Sequence, residues 1–145
     1  MSDKVVPLNT FVNANMKKST SEELEVLFQA LGDRTRLRLL NLMADGEVCV
    51  CFFIEVLDEL QPKISRHLAY LRSAGLVNTS RDGKWISYSI APPEHPVARA
   101  VFDAAIAAMK DDREMQRDRE ALARACCSPR VPEQLKRAPR PAIAT

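Results

Sequence analysis

The sequence predicts a mainly α-helical domain with one two-stranded β-hairpin, and three observations lead to that fold class. Several segments repeat apolar residues every three or four positions, the period of an amphipathic helix. Two short segments flank Asp82-Gly83, a dipeptide that favours a tight hairpin turn. A chain of 145 residues of which 46% are hydrophobic has the size and composition of one folded core with tails.

Five helices are predicted, and most of them have a boundary signal. Asp33 suits the cap that begins a helix, and Gly75 suits a helix end. Pro62 suits a first turn, because proline lacks the N–H that has no partner there. In the second helix, Arg36 and Arg38 are expected to face solvent. The helices are predicted over residues 21–31, 34–44, 52–60, 62–74 and 97–125.

Strands are predicted over residues 76–80 and 85–90, joined by the Asp-Gly turn. The last helix is apolar over a wide arc in its first half and densely charged in its second half. We therefore expect a flexible N-terminal arm over residues 1–20 and a folded domain over 21–125. A basic, proline-rich tail follows over 126–145, and its composition predicts disorder.

Two helices followed at once by a hairpin form the order of a winged helix-turn-helix, whose second helix lies in the major groove of DNA. At 100° per residue, the helix over 62–74 separates Ile64, Leu68 and Leu71 from a polar arc. This arc and the hairpin tip offer donors for base edges and cations for phosphates. The alternative interpretation is an ordinary solvated helix and a charged turn. The predicted DNA contacts are Gln61, Lys63, Ser65, Arg66, His67 and Tyr70, with Arg81 and Lys84 at the hairpin.

One such domain reads only a few base pairs, so a homodimer on a two-fold operator is expected. The apolar half of the last helix offers the seam between two copies, and its burial within one chain is the alternative.

Composition excludes other classes of protein. No apolar run approaches the roughly 20 residues that span a bilayer, and the first 20 residues lack the apolar core of a signal peptide. A cytoplasmic protein is therefore expected. The chain has two histidines and no Cys–His arrangement or glycine-rich phosphate loop, so no catalytic residue and no enzyme activity are expected.

Four cysteines fall in two close pairs, Cys49 with Cys51 and Cys126 with Cys127. In the cytoplasm they are expected to be reduced, which suits metal ligands or redox groups. Cys49 and Cys51 are predicted at the start of the third helix, where oriented backbone amides lower the pKa of thiols. Residues two apart do not face each other on a helix, so joint chelation requires this pair to straddle the helix boundary.

The segment EVCVC at 47–51, followed by QPKISRHLAYLR at 61–72, resembles the ArsR/SmtB family of metal-responsive repressors. GKWISY at 83–88 is similar to that family's wing, and LGDRTRL at 31–37 to the opening of its second helix. The resemblance covers about residues 21–109. It implies that the helix at Pro62 is the recognition helix and that metal binding weakens the affinity for DNA.

Within that family, a Cys-Val-Cys element marks members that respond to arsenic, antimony, cadmium or lead. Cys49 and Cys51 match it, but Ile54 stands where arsenic-type members often have a further cysteine. Trivalent arsenic prefers three sulfur ligands, so Cys126 or Cys127 is expected to supply the third, from the same or the other subunit.

The resemblance therefore implies a repressor that dissociates from its operator on binding As(III), with no organic cofactor. Sb(III) and methylated arsenicals are alternative inducers, and the C-terminal pair could form its own site for the latter. A cadmium- or lead-responsive repressor and a thiol-redox repressor of the same fold are alternative functions.

Overall fold

The computed structural model describes residues 18–127, 135 and 137–141, which form six helices and a three-stranded antiparallel sheet. The predicted fold class is confirmed. Most of the predicted arm and of the tail lies outside the described residues. Within the described part, no helix is long and apolar enough to cross a membrane. The elements are α1 (Thr20–Leu31), α2 (Arg34–Leu42), β1 (Val48–Cys49), α3 (Val50–Leu57), α4 (Gln61–Ser73), β2 (Val77–Asp82), β3 (Trp85–Ile90), α5 (Pro96–Met109) and α6 (Arg113–Cys127).

Helices α2, α3 and α4 pack together around the main core. Ile64, Leu68 and Leu71 of α4 are fully buried, as the helical period predicts. Phe52 and Phe53 of α3 are buried in the same cluster. Burying each such side chain stabilises the fold by about 1.5–3 kcal/mol. This packing fixes which face of α4 is turned outwards.

Strands β2 and β3 form the predicted hairpin, with Asp82 paired with Trp85. The two-residue turn requires a positive φ, and Gly83 supplies it at 61°. The third strand, β1, was not predicted, because two residues are too few for an alternating pattern. It pairs with β3 so that Val48 lies opposite Tyr88 and Cys49 opposite Ser87. The cysteine segment is thereby part of the sheet that carries the hairpin.

The prediction of a single long helix over 97–125 is wrong, because the helix is interrupted between Met109 and Arg113, where α5 ends and α6 begins. The Asp112 carboxylate accepts a hydrogen bond from the Met115 N–H at 3.1 Å and so caps a new helix. The free Lys110 carbonyl accepts hydrogen bonds from Gln116 and Arg119. Helix α6 therefore folds back over α2 and α3.

An ion pair and an amide hydrogen bond hold α6 in place. Arg38 donates two hydrogen bonds to Asp118, at 2.7 and 3.0 Å, and the two side chains are 20% and 8% exposed. The buried Asn41 amide donates to the Met115 carbonyl at 3.0 Å. The expectation that Arg38 faces solvent is therefore wrong. In the tail, Leu135 is buried, which differs from the disorder expected there.

A candidate DNA-reading surface beside a thiol pair

Helix α4 turns a polar face outwards, opposite its buried side. Gln61, Ser65, Arg66 and Tyr70 are exposed on that face, as predicted. Lys63 lies at the edge of the face, partly buried, with its ammonium 2.8 Å from the Glu59 carboxylate. The outward face therefore offers one unburied guanidinium, an amide and two hydroxyl groups within three turns of helix.

His67 does not lie on this outward face. Its side chain is 12% exposed, and its Nδ1 lies 3.8 Å from the Asp33 carboxylate and 3.3 Å from a guanidinium nitrogen of Arg36. Burial lowers the pKa of His67, and the nearby Asp33 only partly opposes this. The ring therefore joins α4 to the start of α2 and is neutral at physiological pH.

Arg36 supports the surface from beneath, and the sequence expectation that it faces solvent is wrong. Its guanidinium donates to the carbonyl oxygens of Ala30 at 2.8 Å and Gln29 at 2.9 Å, at the end of α1. It also lies 4.2 Å from the centre of the Tyr70 ring, a cation–π distance. Arg36 thus fixes the position of Tyr70. No local sequence pattern could have revealed this role, since the partners of Arg36 lie on two other helices, α1 and α4.

The hairpin places further cations next to α4. Arg81 and Lys84 are exposed, as predicted, and the Lys84 ammonium lies 5.1 Å from the Trp85 ring centre. A cleft of about 230 Å³ separates the end of α4 from the hairpin, and Arg72, Thr79 and Arg81 are among its lining residues. Arg72 is not among the predicted DNA contacts, and it adds a cation between the helix and the hairpin.

Cys49 and Cys51 lie on the two sides of a structural boundary. Cys49 ends β1 and caps α3 in an extended conformation, whereas Cys51 belongs to the first turn of α3. The Cys51 thiol donates to the Cys49 sulfur at 3.3 Å. Chelation requires a pair that straddles the helix boundary, and this pair does. Cys49 is buried and Cys51 is partly buried, so a ligand would approach from the Cys51 side.

The predicted lowering of the thiol pKa is wrong for Cys51. Burial, together with the neighbouring Cys49, raises the pKa of the Cys51 thiol to about 12. The backbone N–H groups of Cys51 and Phe52 lower the pKa, but by less than burial raises it. Cys51 is therefore protonated at neutral pH.

Cys126 lies in the last turn of α6, buried, with its sulfur 4.0 Å from a guanidinium nitrogen of Arg140. The Cys127 side chain lies outside the described residues. Among the described side chains, no group of three or more His, Cys, Asp or Glu is placed to hold a metal ion. The structure thus brings together Cys49 and Cys51 but not Cys126.

Two helices with an exposed cationic face on the second, followed by a hairpin with cations at its tip, define the winged helix-turn-helix class of DNA-binding regulators. Residues 33–79 match the model described as "Bacterial regulatory protein, arsR family". Over 80 residues the chain is 45% identical to the arsenical resistance operon repressor of Escherichia coli K12, a match that covers 54% of this chain and 68% of the relative. The chain therefore belongs to the arsR family.

Other relatives agree with this assignment. The chain is 47% identical to the arsenic resistance transcriptional regulator ArsR1 of Pseudomonas putida KT2440, over 46% of this chain and 53% of that protein. It thus spans about half the length of this relative.

Solved structures share the fold. HlyU from Vibrio cholerae has a TM-score of 0.54 and 30% identity, over 61% of this chain and 92% of that one. The homodimeric winged helix-turn-helix DNA-binding domain of Mb0332 from Mycobacterium bovis has a TM-score of 0.51 and 28% identity, over 64% and 89%.

Proposed function

We propose that the protein is a homodimeric transcriptional repressor that binds operator DNA and releases it when Cys49 and Cys51 bind trivalent arsenic. The observation that carries this proposal is the pair of sulfurs 3.3 Å apart at the junction of β1 and α3, the helix that precedes α4. The names of the Escherichia coli and Pseudomonas putida relatives support the arsenic assignment.

The spacing of the two sulfurs favours a pyramidal ligand over a tetrahedral one. With sulfur bonds of about 2.3 Å, a tetrahedral ion such as zinc needs sulfurs about 3.8 Å apart. Bonds of similar length to sulfurs 3.3 Å apart meet at about 90°. Trivalent arsenic, with its lone pair, adopts such compressed angles.

The protonation of Cys51 favours arsenic for a second reason. Arsenous acid is uncharged near neutral pH, and each As–S bond that forms replaces an As–OH bond. The thiol proton leaves with that hydroxide as water, so no proton is released to solvent. A divalent cation must instead expel the thiol proton, which the raised pKa of Cys51 makes costly.

Arsenic at this pair acts on both DNA-contacting elements. Cys51 lies in α3, which packs directly against α4. Cys49 lies opposite Ser87 of β3 in the sheet, and β3 is one of the two strands of the hairpin. Bringing a third sulfur to an arsenic atom held by Cys49 and Cys51 pulls on the β1–α3 junction and shifts the population away from the DNA-binding conformation. Cys126 or Cys127 completes the three sulfur ligands, from the same or the partner subunit.

Helix α5 supports the homodimer. One side of α5 is buried in its own domain through Phe102 and Met109. Part of the apolar arc predicted for a dimer seam therefore belongs to the core of the single chain. Part of the remaining surface of α5 is exposed and apolar, with Val97 46% exposed. Helix α1 packs against α5 and adds Phe28, which is 54% exposed. A second copy of this surface would cover both.

The DNA-binding surface is tested by comparing two exposed arginines. Arg66→Ala is expected to weaken operator binding by about 10- to 100-fold, because it removes a base or phosphate contact. Arg117→Ala, a matched control at an exposed arginine of α6, is expected to leave the affinity unchanged. Fluorescence anisotropy of a labelled operator measures both. Equal effects of the two substitutions would contradict the placement of the DNA surface on α4.

A further inference from the structure

Leu60 occupies a position where a leucine is unfavourable for folding. It is the N-cap of α4 and makes no side-chain cap hydrogen bond, although serine, threonine, aspartate or asparagine would make one. Its side chain is also 77% exposed. Helix α4 therefore lacks a side-chain cap hydrogen bond at this end, and the leucine side chain exposes apolar surface to water. Such a local conflict without a structural benefit points to a functional role.

The backbone fixes Leu60 at the leading end of the DNA-reading helix. Its carbonyl oxygen accepts hydrogen bonds from the N–H groups of Lys63 at 3.1 Å and Ile64 at 3.2 Å. The next residues, Gln61 and Pro62, are exposed. An apolar side chain therefore projects beside an amide that can donate and accept, at the end of α4 that enters the major groove first.

We propose that Leu60 contacts the C5-methyl group of a thymine in each half of the operator, and so selects thymine there. This inference rests on the proposed function, in which α4 reads DNA. The thymine methyl is the apolar feature of the major groove, and apolar side chains recognise it by contact. The contact removes apolar surface of both partners from water, which accounts for the exposure of Leu60 in free protein.

The position of Leu60 separates it from the proposed dimer seam. The exposed apolar residues Phe28 and Val97 lie on α1 and α5, two helices that pack against each other. Leu60 lies instead in the turn between α3 and α4, between Glu59 and Gln61. Its exposed neighbour Gln61 carries an amide suited to base edges, which favours DNA over a second copy of the chain as the partner of Leu60.

The test uses an operator that the purified wild-type protein selects from a randomised pool of DNA duplexes. Each thymine of that operator is replaced in turn by deoxyuridine, which lacks only the methyl group. At the contacted thymine, wild-type affinity is expected to fall about fourfold for each methyl removed, as for the burial of one methylene-sized group. Leu60→Ser is expected to bind the thymine and deoxyuridine operators equally well at that position.

One further variant and one stability measurement keep the test decisive. Leu60→Met retains an apolar contact and is expected to keep the dependence on the methyl. Urea unfolding is expected to show Leu60→Ser as stable as wild type or more stable, since serine restores the cap. If Leu60→Ser keeps the full wild-type preference for thymine at every position, the inference is overturned. A wild-type protein that selects no sequence at all would overturn the proposed function as well.

Discussion

Replacement of Cys49 and Cys51 together by serine is expected to keep the operator complex intact at arsenite concentrations that dissociate the wild-type complex. Serine hydroxyls are hard ligands and do not replace thiolates for a soft metalloid. The concentration of arsenite required for half-release should rise at least about 100-fold, because loss of even an outer-shell partner weakens a metal site by about 10- to 100-fold and this variant loses two direct ligands. Anisotropy of a labelled operator, titrated with arsenite in a reducing buffer, measures this.

The matched control for that variant is Ser87→Ala. Ser87 is buried and lies opposite Cys49 in the sheet, so this substitution perturbs the same packing without removing a thiol. It is expected to release DNA at the wild-type arsenite concentration. Normal release by the double serine variant would contradict the account.

The same titration of the double variant Cys126→Ser with Cys127→Ser tests the third sulfur ligand. A reduced sensitivity to arsenite supports a ligand from this C-terminal pair, and an unchanged sensitivity excludes one.

The affinity for Cd²⁺ is expected to rise steeply with pH, whereas the affinity for arsenite stays nearly constant. Cys51 has a pKa of about 12, so it is protonated throughout the range from about pH 6 to 9, and Cd²⁺ must displace that proton. Each displaced proton contributes about tenfold per pH unit, or about 1,000-fold over three units. Lowering the pH therefore weakens Cd²⁺ binding. Arsenous acid releases water instead of protons and has no such dependence.

Direct titration of the protein, followed by the ultraviolet absorbance of sulfur–metal bonds, measures both affinities. In Cys51→Ser the steep dependence for Cd²⁺ is expected to become shallower, because one displaced proton is lost. A Cd²⁺ affinity that is flat between about pH 6 and 9 would mean that Cys51 is already a thiolate. In that case the preference for arsenic would have to come from the spacing of the sulfurs alone.

Local patterns were sufficient to predict the buried side of α4 and the hairpin. Ile64 and Leu68 follow the helical period, and Gly83 supplies the positive φ of the turn. His67 was misplaced because it lies at the edge of the polar arc. There, contacts with Asp33 and Arg36 on other segments decide its direction. The periodicity of a helix does not predict such contacts between segments that are distant in sequence.

The interruption of the helix before α6 had a weak signal in the sequence. Asp112 precedes Met115 by three residues, the spacing of a helix cap. Met115, Leu122 and Cys126 then form a narrow apolar stripe within a charged segment. The direction in which α6 folds back depends on the buried Asp118 and its partner on α2, which only the tertiary structure reveals. The high pKa of Cys51 has the same origin, because it depends on burial.

The central claim is that arsenic at the thiol pair and DNA at α4 exclude each other energetically. Because coupling between two sites is reciprocal, the most direct test is the arsenite affinity of the wild-type protein with and without saturating operator DNA. We expect the operator to weaken arsenite binding by the same factor by which arsenite weakens operator binding. We also expect unrelated DNA at matched occupancy to have a smaller effect. An arsenite affinity that is identical in the free protein and the operator complex would contradict the central claim.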